Sequence, residues 1–331
     1  MLHPFTNFAK HYTLKSVAVI VFFGTSLLAQ QREPVPPGSG SPNQIVAVKA
    51  LVGLDGVKPN SEGMLSFSAT DLRFTTQQGS ADIARRRIIA VFSGDERVEA
   101  GGTTARIGRM LIPYGGGLAL ATVTHKKVGL LTVEFLDVSG EYHGAVFALN
   151  TDDMENTIQQ LRVSVPAPYP SRVPAALACP AQKVEENTIR VEVVGPDPQS
   201  DFPSEDRALL YERLLQQLKS EKTIQNVYRA GDRSAEGSCA EFTVTVRPIA
   251  FTKGDQAVRA SVGPLGHFVG TTKLSYHLTL SRQDGTLIFD GDMKNSEGSD
   301  SDSLNVTKVI SKAVVKNLKK ARTQLRKTQL V

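Results

Sequence analysis

The segment 164–180, SVPAPYPSRVPAALACP, carries five prolines and divides the chain in two. Proline fixes φ and has no backbone N–H to donate, so a run this dense neither continues a helix nor joins a central ladder. It reads as an interdomain linker. The 331 residues therefore separate into a block over 44–163 and a block over 181–331, each long enough to bury a core of its own. Each is expected to fold without the other.

The N-terminus bears on the compartment. Lys10 and Lys15 precede an apolar run over 17–28, and Ala29 leads into Gln30, Gln31, Arg32 and Glu33. A short positive region, about a dozen apolar residues and a small residue at the exit make a secretory signal peptide over 1–29. Cleavage is expected between residues 26 and 31. A membrane span takes roughly 20 apolar residues, so an uncleaved N-terminal anchor is the alternative. Residues 30–43, rich in Pro, Gly and Ser, read as a flexible leader. The expected location is periplasmic or secreted. The net charge of +5, the lack of tryptophan and the 6% aromatic content offer no stacking platform, so nucleic acid is not expected as a partner.

The first block is rich in strands and ends in a helix. Leu65 and Phe67 alternate with Ser66 and Ser68, and Leu72 and Phe74 with Arg73 and Thr75. The segments 130–136 and 141–149 flank Asp137-Val138-Ser139-Gly140, read as a four-residue hairpin loop with Gly140 at the positive-φ position. That loop length sets Glu134 opposite His143, a cross-strand surface pair without a nucleophile beside it. After Asn150, the acids Asp152 and Asp153 suit a helix N-terminus, and Met154, Ile158 and Leu161 share one face. The pattern predicts a small antiparallel β-barrel plugged by one helix. In Gly63-Met64-Leu65-Ser66-Phe67, Leu72-Arg73-Phe74, Ile88-Ile89-Ala90-Val91, Leu131-Thr132-Val133-Glu134-Phe135 and Ala145-Val146-Phe147 the block resembles bacterial pleckstrin-homology-like (PH-like) or GRAM-like domains. The resemblance implies binding of a protein or lipid and no catalysis. The basic pocket of some members is not matched, since only Lys58 lies in the corresponding stretch.

The second block has another rhythm. Ile189, Val191 and Val193 alternate with Arg190 and Glu192, and Pro203-Ser204 introduces a helix with Leu210, Leu214 and Leu218 along it. Phe242, Val244 and Val246 form one strand face, and Leu274, Tyr276, Leu278 and Leu280 another. Asp284-Gly285 turns the chain into Leu287-Ile288-Phe289, and a last helix carries Val306, Ile310, Val314, Leu318 and Ala321. This is an α+β sandwich, helices on a mostly antiparallel sheet. Through the helix over 208–218, Ile224-Gln225-Asn226-Val227-Tyr228, Leu278-Thr279-Leu280, Asp284-Gly285-Thr286 and the last helix, it resembles the curli-secretion and penicillin-binding-protein-activator envelope lipoproteins. Those families imply assembly or regulatory roles in the cell envelope; the lipobox of such lipoproteins is missing here.

Chemistry-bearing motifs are sparse. There is no HExxH, GxSxG, GxxxxGK[ST] or metal-spaced Cys/His cluster, so no catalytic, cofactor-binding or metal-ligating residue is assigned. Cys179 and Cys239 are the only cysteines, and in an exported chain they are expected to pair as one disulfide. Leu265, Gly266, His267 and Phe268, in a glycine-rich stretch, read as a mobile or partner-binding loop. His277 falls on the polar face of its strand. The acidic stretch 290–302 lacks EF-hand order and reads as a solvated loop rather than a calcium site. From Lys308 onward there are eight Lys or Arg residues and no acid. Of these Lys316, Lys319, Lys320, Arg322, Arg326 and Lys327 are candidates for contact with an anionic surface. The expectation is a two-domain α+β, non-enzymatic binding or scaffold protein of the bacterial envelope, its partner an envelope protein or an anionic envelope surface. A secreted hydrolase is the alternative. Oligomeric state is left open.

Overall fold

The computed structural model describes residues 45–99, 125–162, 184–195, 200–232, 239–254, 270–297 and 304–329. The signal segment, the leader and the Pro-rich stretch 164–180 lie outside these residues. The first sheet has seven antiparallel strands: β1 (Ile45–Val52), β2 (Ser61–Phe67), β3 (Asp71–Thr76), β4 (Gly79–Ala84), β5 (Ile88–Glu99), β6 (His125–Leu136) and β7 (Tyr142–Asn150). Their order is β4-β3-β2-β1-β7-β6-β5. Helix α1 (Thr151–Arg162) follows β7 directly and carries Asp152 and Asp153 in its first turn. Its buried Ile158 and Leu161 join a core with Val46, Val48, Leu65, Leu72, Phe74, Val133 and Phe147.

The expected barrel is not formed. The sheet stays open, with β4 and β5 as its two edges. The 3-10 turn Arg85–Arg87 carries the chain out of β4, and β5 then pairs with β6 from Ile88↔Phe135 onward, not with β4.

The second sheet contains β8 (Val184–Val191), β9 (Asn226–Tyr228), β10 (Cys239–Thr252), β11 (Thr272–Arg282) and β12 (Leu287–Glu297), in the order β12-β11-β10-β8-β9. The long β10–β11 and β11–β12 ladders are antiparallel, and the shorter β10–β8 and β8–β9 ladders are parallel. Parallel neighbours need a crossover, and α2 (Ser204–Lys219) supplies it between β8 and β9. The Asp284-Gly285 turn behaves as the sequence suggests: Gly285 has φ +84° and the Thr286 N–H donates to Asp284 Oδ1. Helix α3 (Leu304–Gln329) closes this half. Among the described residues no helix is long and apolar enough to cross a membrane.

What the apolar pattern did not reveal is how the halves share α2. The described residues all belong to one compact unit. Leu210, Tyr211, Leu214 and Leu218 face the second sheet's core, together with Ile310 and Val314 of α3. Ala208 and Leu209 instead join Leu51, Val52, Leu130 and Val146 of the first sheet, and Leu304. Even Glu205, Asp206, Glu212 and Arg213 of this helix are buried. The approach is close: a Cβ on Gly144 of β7 would stand 2.7 Å from the Ala208 Cβ. Any larger residue there would push α2 away from the sheet.

Candidate functional site

The β6–β7 turn builds a polar cluster at this junction. Asp137 Oδ1 accepts the backbone N–H groups of both Ser139 and Glu141, each at 2.8 Å. The carboxylate thereby draws Glu141 into the loop, and the strands resume at Leu136↔Tyr142. The loop is one residue longer than the four-residue reading, so the register slips by one and side chains change neighbours. Glu134 faces Gly144, and His143 faces Phe135. The expected Glu134–His143 surface pair is thus replaced by a buried imidazole stacked on Phe135, ring centroids 5.0 Å apart.

His143 is only 1% exposed, and neither ring nitrogen has a hydrogen-bond partner. Its Nε2 lies 3.7 Å from Asp137 Oδ2 and 3.7 Å from Asp55 Oδ2. Asp55 comes from the β1–β2 loop, brought there because β1 pairs with β7. The loop leaves β1 through Gly53 (φ +88°), where a Cβ would fall 2.2 Å from the Gly144 carbonyl oxygen, so only glycine fits. Burial, reinforced by the Arg229 guanidinium, holds the His143 pKa below its ordinary value and keeps the ring neutral.

Beside it lies a buried ion pair. Arg229 donates to both carboxylate oxygens of Glu212, at 2.8 and 2.9 Å, and to the Tyr142 carbonyl at 3.1 Å. Glu212 also accepts the Gly144 N–H. Tyr142 packs edge-on against Tyr211, and the Ala230 N–H donates to the Tyr211 hydroxyl. On the outer side, burial with Asp232 and Asp137 nearby pushes the Glu141 carboxyl up to about 7. Burial also raises Glu134, against the pull of Arg207 and a hydrogen bond with Tyr142. The adjoining cleft, about 130 Å³, is lined by Asp55, Lys58, Glu212, Lys219 and Arg229 among others. A second, of about 240 Å³, runs on toward Arg213, Lys308 and Lys312.

The residues singled out from the sequence fare unevenly. Cys239 opens β10, no described cysteine is free, and Cys179 lies outside the described residues. Leu265, Gly266, His267 and Phe268 also lie outside them, as do the side chains of Arg326 and Lys327. Lys316, Lys319 and Lys320 are exposed on α3, Lys319 in an ion pair with Glu221 at 2.5 Å. Arg322 corrects the surface reading. It is 8% exposed, donates to Asn187 Oδ1 and the Thr223 carbonyl, and sits over the Phe242 ring. Its long apolar stem and planar head suit such a buried seat better than a lysine would. His277 is held between Asp292 (2.6 Å) and Asp290 (2.8 Å), which raises its pKa and gives these two acids a structural partner.

Asp55, Glu212 and Arg229 were missed. The signal for Glu212 was present: Leu-Leu-Tyr-Glu-Arg-Leu-Leu over 209–215 sets two charges inside an apolar run, a mark of buried, paired charge. Nothing local marks Asp55, whose role depends on a pairing with β7 some ninety residues away. The sequence matches no protein-family model, and no curated protein shows significant similarity to it.

Proposed function

We propose that this chain is an exported, non-enzymatic binding or scaffold protein of the bacterial cell envelope that docks on an anionic surface through α3. The observation that carries this reading is a lysine row. Lys308, Lys312, Lys316, Lys319 and Lys320 are all exposed, and at 3.6 residues per turn they fall within a roughly 120° arc along α3. The opposite face of the helix is apolar and buried, so the row is held outward. Each such cation near an anionic surface adds about 1 kcal/mol of attraction. The succession of seven antiparallel strands and one helix, α1, is what supports a PH-like reading of the first half, its open sheet counting against it, and helices α2 and α3 against the second sheet support the envelope-lipoprotein likeness. The signal peptide and the Cys179–Cys239 disulfide belong to the same proposal.

Extraction of envelope fractions tests it. The wild-type protein is expected to sediment with the envelope at low salt and to leave it at high salt, because exposed charges are screened over about 8 Å at physiological ionic strength. The K312E/K316E/K320E variant is expected in the soluble fraction at every salt concentration; equal retention of the two proteins refutes the reading.

One observation favours the hydrolase alternative: Glu141, its carboxyl pushed up to about 7, stands with Asp232 and Asp137 nearby. Against it, both clefts are smaller than the ~300–1,000 Å³ of ordinary small-molecule sites. Release of soluble fragments from purified envelope polymer, lost in Glu141→Gln, would favour catalysis.

A further inference from the structure

His143, Asp55 and Asp137 present one imidazole nitrogen and two carboxylate oxygens within 4.8 Å of one another. Two carboxylates alone would be an ordinary solvated pair. The buried imidazole makes the difference, because an interior polar side chain without a hydrogen bond carries a desolvation cost that some partner normally offsets. Nε2 points at Asp55 and Asp137 from 3.7 Å, too far for a hydrogen bond to either and close to the separation of two ligands on one metal.

We propose that these three side chains form a site for a divalent transition cation of the zinc class. Tetrahedral donors about 2.1 Å from zinc stand roughly 3.4 Å apart, and both separations from His143 Nε2 exceed that by only a few tenths of an ångström, while the set as a whole spans no more than 4.8 Å. The residues are suited to closing that gap in different degrees. Asp137 is fixed, its Oδ1 held by two backbone N–H groups while Oδ2 faces His143. His143 is fixed by its stack on Phe135. Asp55, with its side chain 73% exposed in the β1–β2 loop, is the ligand that moves.

Charge balance agrees. Arg229 lies 3.9 Å from Asp55 Oδ1, but its guanidinium is bidentate to Glu212, so that pair is close to neutral. Asp55 therefore only shares Arg229 with Glu212, and a dication would offset the charge of Asp55 and Asp137 together. One nitrogen with two oxygens suits zinc, manganese or iron(II) better than calcium, which takes six to eight oxygens. Three protein ligands leave a fourth position open, as in sites that accept water or an incoming ligand. Asp55 also lines the 130 Å³ cleft, which gives that position a way in. The site does not touch the lysine row, so its failure and the failure of the docking reading are separate results.

The test is calorimetric titration of Zn²⁺ alone into the untagged, chelator-treated full chain. One equivalent is expected to bind at micromolar or lower concentration. Asp55→Asn, a change at an exposed side chain, should weaken this at least tenfold while leaving the metal-free thermal midpoint in place. Asp292→Asn, which disturbs the other His–Asp group at His277, should leave it unchanged. Cobalt(II) gives a readout independent of any variant: a contact-shifted imidazole resonance assigned to His143. Uptake of no metal, uptake insensitive to Asp55→Asn, uptake lost in Asp292→Asn, or a cobalt spectrum without a shifted His143 resonance would each overturn the proposal.

Discussion

Removing Arg229 isolates a buried carboxylate. In Arg229→Met the apolar stem is kept, but Glu212, 2% exposed, loses both charge-assisted bonds and retains only the Gly144 N–H. Breaking one side of a buried pair costs about 3–5 kcal/mol, because the remaining charge is desolvated without compensation. Against a total stability of about 5–15 kcal/mol for a folded domain, that is a large fraction. Replacing both partners, Glu212→Met with Arg229→Met, removes the stranded charge. What remains is the orphaned Gly144 N–H, about 1–3 kcal/mol, and the Tyr142 carbonyl that has lost its Arg229 donor. The double variant should therefore be more stable than Arg229→Met alone, a strongly non-additive cycle. Urea unfolding of the four proteins, followed by circular dichroism, measures it. Single costs below about 1 kcal/mol, or single costs that simply add, would refute the view that this pair is desolvated at the junction of the two sheets.

Glu141, raised to about 7 by burial and neighbouring acids, binds its proton more tightly folded than unfolded. Its contribution is fully present below the unfolded carboxylate range and is lost as pH rises through about 7. After allowance for solvent screening it is no more than about 2 kcal/mol. Glu141→Gln should flatten the stability profile between about pH 4.5 and 7; an unchanged profile would contradict the assignment. His277, clamped by Asp292 and Asp290, should titrate above an ordinary histidine by NMR, and Asp292→Asn should lower that midpoint. Its stabilising effect is present below the unfolded histidine pKa and fades as pH climbs through the folded one. Alkylation of the unfolded, unreduced protein should add no label if Cys179 and Cys239 pair, whereas two labels per chain would mean free thiols.

Much of the fold was legible where local chemistry decides it. The Leu65/Phe67 and Leu72/Phe74 alternation, the Asp284-Gly285 turn and the start of α2 at Ser204 appear where side-chain period and turn residues put them. The junction was not legible, because side chains acting across distance decide it. Asp137 captures two backbone N–H groups and lengthens its turn by one residue, which sets His143 opposite Phe135 instead of Glu134, on a strand that packing covers on both faces. A leucine stripe on α2 suggests one buried face, yet both sheets claim the helix, and Ala208 and Leu209 reveal their side only once Gly144 is beside them. A count of positive charges on α3 likewise includes Arg322, which Asn187 and Phe242 turn inward.

The docking reading depends on the lysine row, and binding of the purified protein to vesicles tests it most directly. Three lysines at about 1 kcal/mol each correspond to roughly a hundredfold in affinity. Wild type should bind vesicles rich in phosphatidylglycerol and not pure phosphatidylcholine vesicles, with affinity falling as salt rises. K312E/K316E/K320E should lose at least that hundredfold while unfolding at the wild-type temperature. Equal binding by wild type and variant, or equal binding to charged and neutral vesicles, would contradict the account.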